Sequence, residues 1–185
     1  MRNPEQIQAY IDLGWHLLPV QAKGKRPVTK LVPHGHLDAT NDEATIWSWF
    51  EHNPDLNIGI ACEASGLLVV DFDFDNMDDE AELLYGQMDL LHYDDTLSVH
   101  TGKGIHYYFE APMGLTPPGK LADGIDIKYK GYVVAPPSIH ANGKAYEVAK
   151  DTEPAWVGSL GYDWIKRGLL VLHPAEEPSE TPLPH

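Results

Sequence analysis

The chain has one cysteine, Cys62, among its 185 residues. An internal disulfide is excluded, and so is a zinc site built from several cysteines. No apolar run approaches the roughly 20 residues that a membrane-spanning helix needs. The opening stretch, Met1 to Gln6, lacks the apolar centre of a signal peptide. A reducing, cytoplasmic setting and no membrane partner are expected. Bases are scarce: 13 Lys and Arg stand against 28 Asp and Glu, for a net charge of −15. Between positions 71 and 95 there is no base at all beside ten acids. That balance argues against tight, non-specific binding to nucleic acid. The rest of the chain is milder, with 18 acids against 13 bases. Its bases cluster, Lys23, Lys25, Arg26 and Lys30 in one loop and Lys120, Lys128 and Lys130 in another. A polyanion remains a feasible partner through a few placed, salt-sensitive contacts.

The chain is 43% hydrophobic and 10% aromatic, enough for a real core. One domain over residues 1–173 is expected, with 174–185 of Pro-, Glu-, Ser- and Thr-rich linker composition. Asn3-Pro4-Glu5 opens a helix that Gly14 closes. A strand over Trp15–Val20 follows, then a long Gly-, Pro- and Lys-rich loop over 21–40, a length that usually carries function. A second helix begins near Asn41-Asp42-Glu43 and ends at Pro54. Asn57–Cys62 and Gly66–Asp73 read as a strand pair joined by Glu63-Ala64-Ser65. A helix spans about Asp78–Leu91. Strands follow near Thr96–Thr101, Ile105–Glu110, Gly124–Lys128 and Gly131–Ala135. Asn142-Gly143 signals a hairpin returning through Ala145–Val148. A last helix is expected near Ser159–Arg167. The sum is a mixed α/β (α+β) domain.

Three segments carry chemistry. In Leu67-Leu68-Val69-Val70-Asp71-Phe72-Asp73, four apolar residues describe a strand buried on both faces, and then acids alternate with Phe. Asp71 and Asp73 share a face about 7 Å apart. Two such carboxylates repel unless a cation sits between them, which points to Mg²⁺ or Mn²⁺; a solvated strand end is the plainer alternative. In His100-Thr101-Gly102-Lys103-Gly104-Ile105-His106, a glycine-rich turn feeds an aromatic strand. Its glycines would let backbone approach phosphate, Lys103 would add charge, and His106 would point outward at the turn. A Walker loop is excluded, because Leu97 and Gly104 occupy places that need glycine and Ser or Thr. In Gly124-Ile125-Asp126-Ile127-Lys128, Asp126 shares a face with Lys128, as a third metal ligand or as half of a surface ion pair.

In this order, and followed by Gly131-Tyr132-Val133-Val134-Ala135-Pro136-Pro137-Ser138, these segments resemble the bifunctional primase-polymerase domain of phage and plasmid replication proteins, in the archaeo-eukaryotic primase superfamily. Gly14-Trp15, Lys25-Arg26-Pro27, Asp38-Ala39-Thr40 and Asn57-Ile58-Gly59-Ile60 are similar to its N-terminal half. The resemblance implies a primase-like core, an RNA-recognition-type sheet packed against an N-terminal α/β portion. It implies Asp71, Asp73 and Asp126 as catalytic ligands of two Mg²⁺ or Mn²⁺ ions, in a two-metal mechanism. It implies His106, Lys103, Thr101, Lys128 and Ser138 around a nucleoside triphosphate. Single-stranded DNA template and primer are the implied partners, with a replicative helicase module, fused or recruited. Lys23, Lys25 and Arg26 are the expected DNA contacts. Lys128 departs from the family's usual Arg, which weakens any bidentate phosphate grip there.

Two other functions fit parts of the pattern. A metal-dependent glycosyltransferase would use Asp71 and Asp73 but gives His106 and Asp126 no joint role. A non-enzymatic binding module would stack bases on Tyr107, Tyr108 and Phe109.

Overall fold

The computed structural model describes residues 3–160 and Trp164. Asn3, Asp42 and Asp78 each accept a hydrogen bond from the backbone N–H three residues on. These caps start α1 (Pro4–Asp12), α2 (Glu43–His52) and α3 (Asp79–Leu90). The strands are β1 (Leu17–Val20), β2 (Asn57–Ala61), β3 (Leu67–Asp73), β4 (Ser98–His100) and β5 (Gly104–Glu110), then β6 (Lys120–Ala122), β7 (Ile125–Lys128), β8 (Tyr132–Ala135), β9 (Glu147–Lys150) and β10 (Ala155–Trp156). No helix among the described residues is long and apolar enough to cross a membrane.

Two sheets result. The smaller has the order β1-β2-β8 and the larger β6-β7-β3-β5-β4-β9, with β10 added parallel to β5 beyond the end of β4. All other pairings are antiparallel. β3 explains the two-faced burial. Leu67 and Val69 join a core with the small sheet, α1 and α2. Leu68, Val70 and Phe72 join a second core with Ala81, Leu84 and Met88 of α3. The order β7-β3-β5-β4, with α3 crossing from β3 to β4, forms the centre of the larger sheet. Of the two tryptophans in α2, Trp49 is core and Trp47 packs from its edge.

Several expectations are corrected. β2 and β3 are not partners, because they belong to different sheets. The 3-10 turn Glu63–Ser65, with Gly66 at φ 70°, carries the chain from one sheet to the other. The hairpin at Asn142-Gly143 is limited to a bridge between Ile139 and Ala145, and its return strand, as β9, pairs with β4 instead. β6 and β10 are too short to leave a period-two signal. Val157–Ser159 is a single 3-10 turn and Leu160 is extended, while Trp164 within the expected last helix is helical. Apart from Trp164, the rest of that expected helix and the 174–185 tail lie outside the described residues.

Ser138 is a structural residue. Its hydroxyl accepts from the Ile58 amide (2.9 Å) and donates to the Ile58 carbonyl (3.3 Å), holding the segment after β8 to β2. Ser138→Ala strands a buried amide, and the expected loss is about 1–3 kcal/mol of unfolding free energy. Denaturant titration reads this, and nucleotide affinity should not change. A weakened nucleotide constant at full stability would return Ser138 to the binding site.

Candidate active site

The site begins with strand register. Asp71 on β3 stands directly opposite His106 on β5 and directly opposite Asp126 on β7. Asp126 in turn faces Lys120 on β6. Residues in register across an antiparallel ladder present their side chains on one face, about 5 Å apart at Cβ. The sheet therefore carries a row Lys120, Asp126, Asp71, His106. Asp73 and Lys128 extend it along their strands. The hydrophobic partners of these residues, Val70, Phe72, Ile105, Ile125 and Ile127, point the other way into the α3 core.

This row floors a cavity of about 520 Å³. Four lysines, Lys25, Lys103, Lys120 and Lys128, and four aspartates, Asp71, Asp73, Asp123 and Asp126, line it. A chain at −15 is thus balanced where it matters. Asp71 is the deepest acid. Burial opposes its charge, but His106, with Nε2 3.4 Å from Oδ1, outweighs that together with Lys128 and Lys25. Its carboxyl is held below the usual range. Asp126 Oδ2 accepts from Lys128 Nζ at 3.1 Å. Asp73 accepts from the Asp75 amide (3.2 Å) and from Asn76 Nδ2 (2.8 Å), which shapes the turn after β3.

Among the described residues, no three His, Cys, Asp or Glu side chains converge as a ready metal cluster. Each carboxylate has a protein partner: Asp71 has His106, Asp126 has Lys128, and Asp73 has an amide. The donor set still fits a hard cation. Two strand carboxylates in register, with Asp73 beside them, offer only oxygen ligands at a polar cavity.

The basic loop is placed over the cavity rather than left in solvent. Tyr132 Oη donates to the Lys25 carbonyl (2.6 Å) and Asn57 Nδ2 to the Gly24 carbonyl (3.0 Å). Lys25 reaches the cavity, while Lys23 and Arg26 are exposed and do not line it. Lys130 is taken by Glu63 at 2.8 Å. Lys103 and Thr101 line the cavity, and Thr101 Oγ1 caps the turn by accepting from the Gly104 amide at 2.9 Å.

Packing requires two glycines of this turn. A Cβ at Gly104 would sit 1.7 Å from the Phe72 carbonyl oxygen, and one at Gly102 would sit 2.2 Å from the His140 ring. His106 does not point outward. It is 6% exposed, its Nε2 faces Asp71, and its buried Nδ1 has no partner. Ser138 lies away from the cavity. Tyr107, Tyr108 and Phe109 are all buried, which removes the stacking-platform alternative. Sequence reasoning missed His140 and Tyr146, which flank the Asn142-Gly143 turn and line the cavity. Their rings lie 6.0 Å apart, and Tyr146 is 6.3 Å from His106. The turn signal marked the segment but said nothing of its folding back onto the acids.

The lowered pKa of Asp71 has a sign for stability. The unfolded chain binds the proton more readily, so the contribution is complete above the unfolded value and drains away as pH falls through the folded one. Without metal, Asp71→Asn should be less stable than the parent at about pH 7, with the deficit shrinking below about pH 4. Denaturant titrations across that range check it. A deficit that stays constant down to about pH 3 would show that the charge contributes nothing.

Comparison with known proteins shows the family. No curated protein matches the chain. The model of one family, described as bifunctional DNA primase/polymerase, N-terminal, matches residues 7–160. That span contains the whole carboxylate row and the loop over it. The chain belongs to the bifunctional DNA primase/polymerase N-terminal family, a membership that implies a nucleotidyltransferase-type enzyme with nucleotide and DNA substrates.

Proposed function

We propose that this domain is a template-directed nucleotidyltransferase that makes primers on single-stranded DNA and extends them. The observation that supports this most is the register that aligns His106, Asp71 and Asp126 on one open face. A glycosyltransferase built on Asp71 and Asp73 has no use for that third strand.

Asp71, Asp73 and Asp126 would hold Mg²⁺ or Mn²⁺. When bound there, such ions would supply Lewis-acid chemistry to a primer hydroxyl and to the phosphates. The chain's own residues do the rest. His106 holds Asp71 in place and charged, and is a positioning residue in this reading. Lys128 exchanges its grip on Asp126 for a phosphate oxygen when the nucleotide arrives. Lys25 and Lys103 bring further positive charge, which offsets the negative charge of a triphosphate. Thr101 fixes the turn that presents Lys103. Exposed Lys23 and Arg26 remain beside the cavity for the DNA backbone, and so few contacts keep template binding weak and salt-dependent.

The test is primer extension by the full chain on a single-stranded template, with labelled nucleotides and Mg²⁺ or Mn²⁺. Products should lengthen one nucleotide at a time and follow template sequence. Asp71→Asn and Asp126→Asn should each reduce the rate at least about a hundredfold, the scale of losing one group that stabilises transition-state charge. Unreduced extension in both variants, or turnover of sugar nucleotides without any template, would overturn the proposal.

A further inference from the structure

The carboxylate cavity opens into a second compartment of about 430 Å³. Lys25, Asp71, His106, Lys128 and Tyr146 line both. The walls that belong to the second alone are of another kind: Gly131, Val133 and Val134, and the rings of His36 and Tyr132. Those rings stack, with centroids 6.2 Å apart and planes 28° apart. Both are half-buried, and both line the compartment. His36 is the second histidine of a His-x-His pair in the 21–40 loop that nothing in the chemistry above uses.

The wall is fixed before any ligand arrives. The Tyr132 hydroxyl and Asn57 amide bonds hold the loop at residues 24 and 25. Bridges from Val20 to Pro27 and from Leu17 to Thr40 hold its two ends. Asp38 accepts from the His34 amide at 2.7 Å, closing the turn in which His36 lies. A pre-formed, mostly apolar slot with an aromatic wall suits a planar ring. One step away lies a cavity lined by four lysines, which suits phosphates. A planar ring joined to phosphates is a nucleotide.

Building on the nucleotidyltransferase reading, we propose that the second compartment seats the base of the incoming nucleoside triphosphate, with His36 and Tyr132 as its stacking wall. The phosphates lie in the lysine-lined cavity and Tyr146 stands between the two. His36 and Tyr132 already touch, so the base stacks on the outer face of the pair rather than between its rings. Ring faces and aliphatic groups do not discriminate among bases. The seat is therefore tolerant, and template pairing makes the choice.

The test compares two probes bound to the full chain with Mg²⁺ and no DNA: a nucleoside triphosphate, and inorganic tripolyphosphate, which has the phosphates but no base. In the parent, the nucleotide should bind about tenfold more tightly or better. His36→Ala should remove most of that advantage and leave tripolyphosphate binding as it was, and His36→Phe should restore it. Tyr132→Ala should behave as His36→Ala does. Tyr132→Phe keeps the ring but loses the tie to Lys25, and should retain the advantage. In primer extension, His36→Ala should raise the nucleotide KM far more than it lowers kcat. Three results overturn the inference while sparing the parent reading: no nucleotide advantage in the parent, an equal loss of both probes in His36→Ala, or a loss seen only with DNA present, which would give the wall to a template or primer base. Failure of both probes to bind the parent would overturn both.

Discussion

The pairing of β3 with β5 and β7 is the constraint on which the site depends. In an antiparallel sheet a slip of one residue sends every side chain to the opposite face. Here the register is locked from behind. Leu68, Val70 and Phe72 of β3, with Ile105, Tyr107 and Phe109 of β5 and Ile125 and Ile127 of β7, all enter the core under α3. Their burial leaves Asp71, His106 and Asp126 no choice but to line up on the other face. The positions of the polar groups are set by the apolar ones between them. A cavity beneath Phe72 would loosen the alignment of the acids without touching one of them.

That arrangement brings like charges together, and the fold offsets them locally. Asp71 is answered by His106, Lys128 and Lys25, and Asp126 by Lys128 at 3.1 Å. Other acids are handled separately. Asp78 caps α3, and beyond the 71–95 stretch Asp123 pairs with Lys120. Lys150 sits between Asp94 and Asp95. The paradox of an acidic chain that works on polyanions is resolved at this scale. The net charge is distributed over the surface, while the cavity carries as many lysines as aspartates. In the proposed mechanism Lys128 guards Asp126 in the empty site and turns to phosphate in the filled one.

Much of this is legible in the residues themselves. The apolar run ending at Asp71, the caps at Asn3, Asp42 and Asp78, and the period-two alternation of Ile125-Asp126-Ile127 are local signals, and each marks an element that forms at that place. What local signals cannot carry is partnership between distant strands. The proximity of β2 and β3 along the chain suggests a pair, whereas Gly66 and the turn before it place them in different sheets. Gly102 and Gly104 suggest a phosphate loop, but the demand for glycine comes from the His140 ring and the Phe72 carbonyl, one remote and one across the ladder. Ser138 belongs to a motif that resembles a binding element, yet its hydroxyl closes the small sheet onto β2. His140 and Tyr146 carry no signal, because only the chain's return past Asn142 brings them to the acids.

The central claim is that register makes Asp71 and Asp126 two ligands of one cation site. Titrating the protein with Mn²⁺, read by the loss of the free-ion paramagnetic resonance signal, tests it without any need for turnover. The account predicts that Asp71→Asn and Asp126→Asn each weaken Mn²⁺ binding by about tenfold or more, the scale of about 1.4 kcal/mol per ligand. The double variant should weaken binding further than either, with the two losses coupled because both carboxylates serve one site. Unchanged Mn²⁺ affinity in either single variant, with the fold intact, would contradict it.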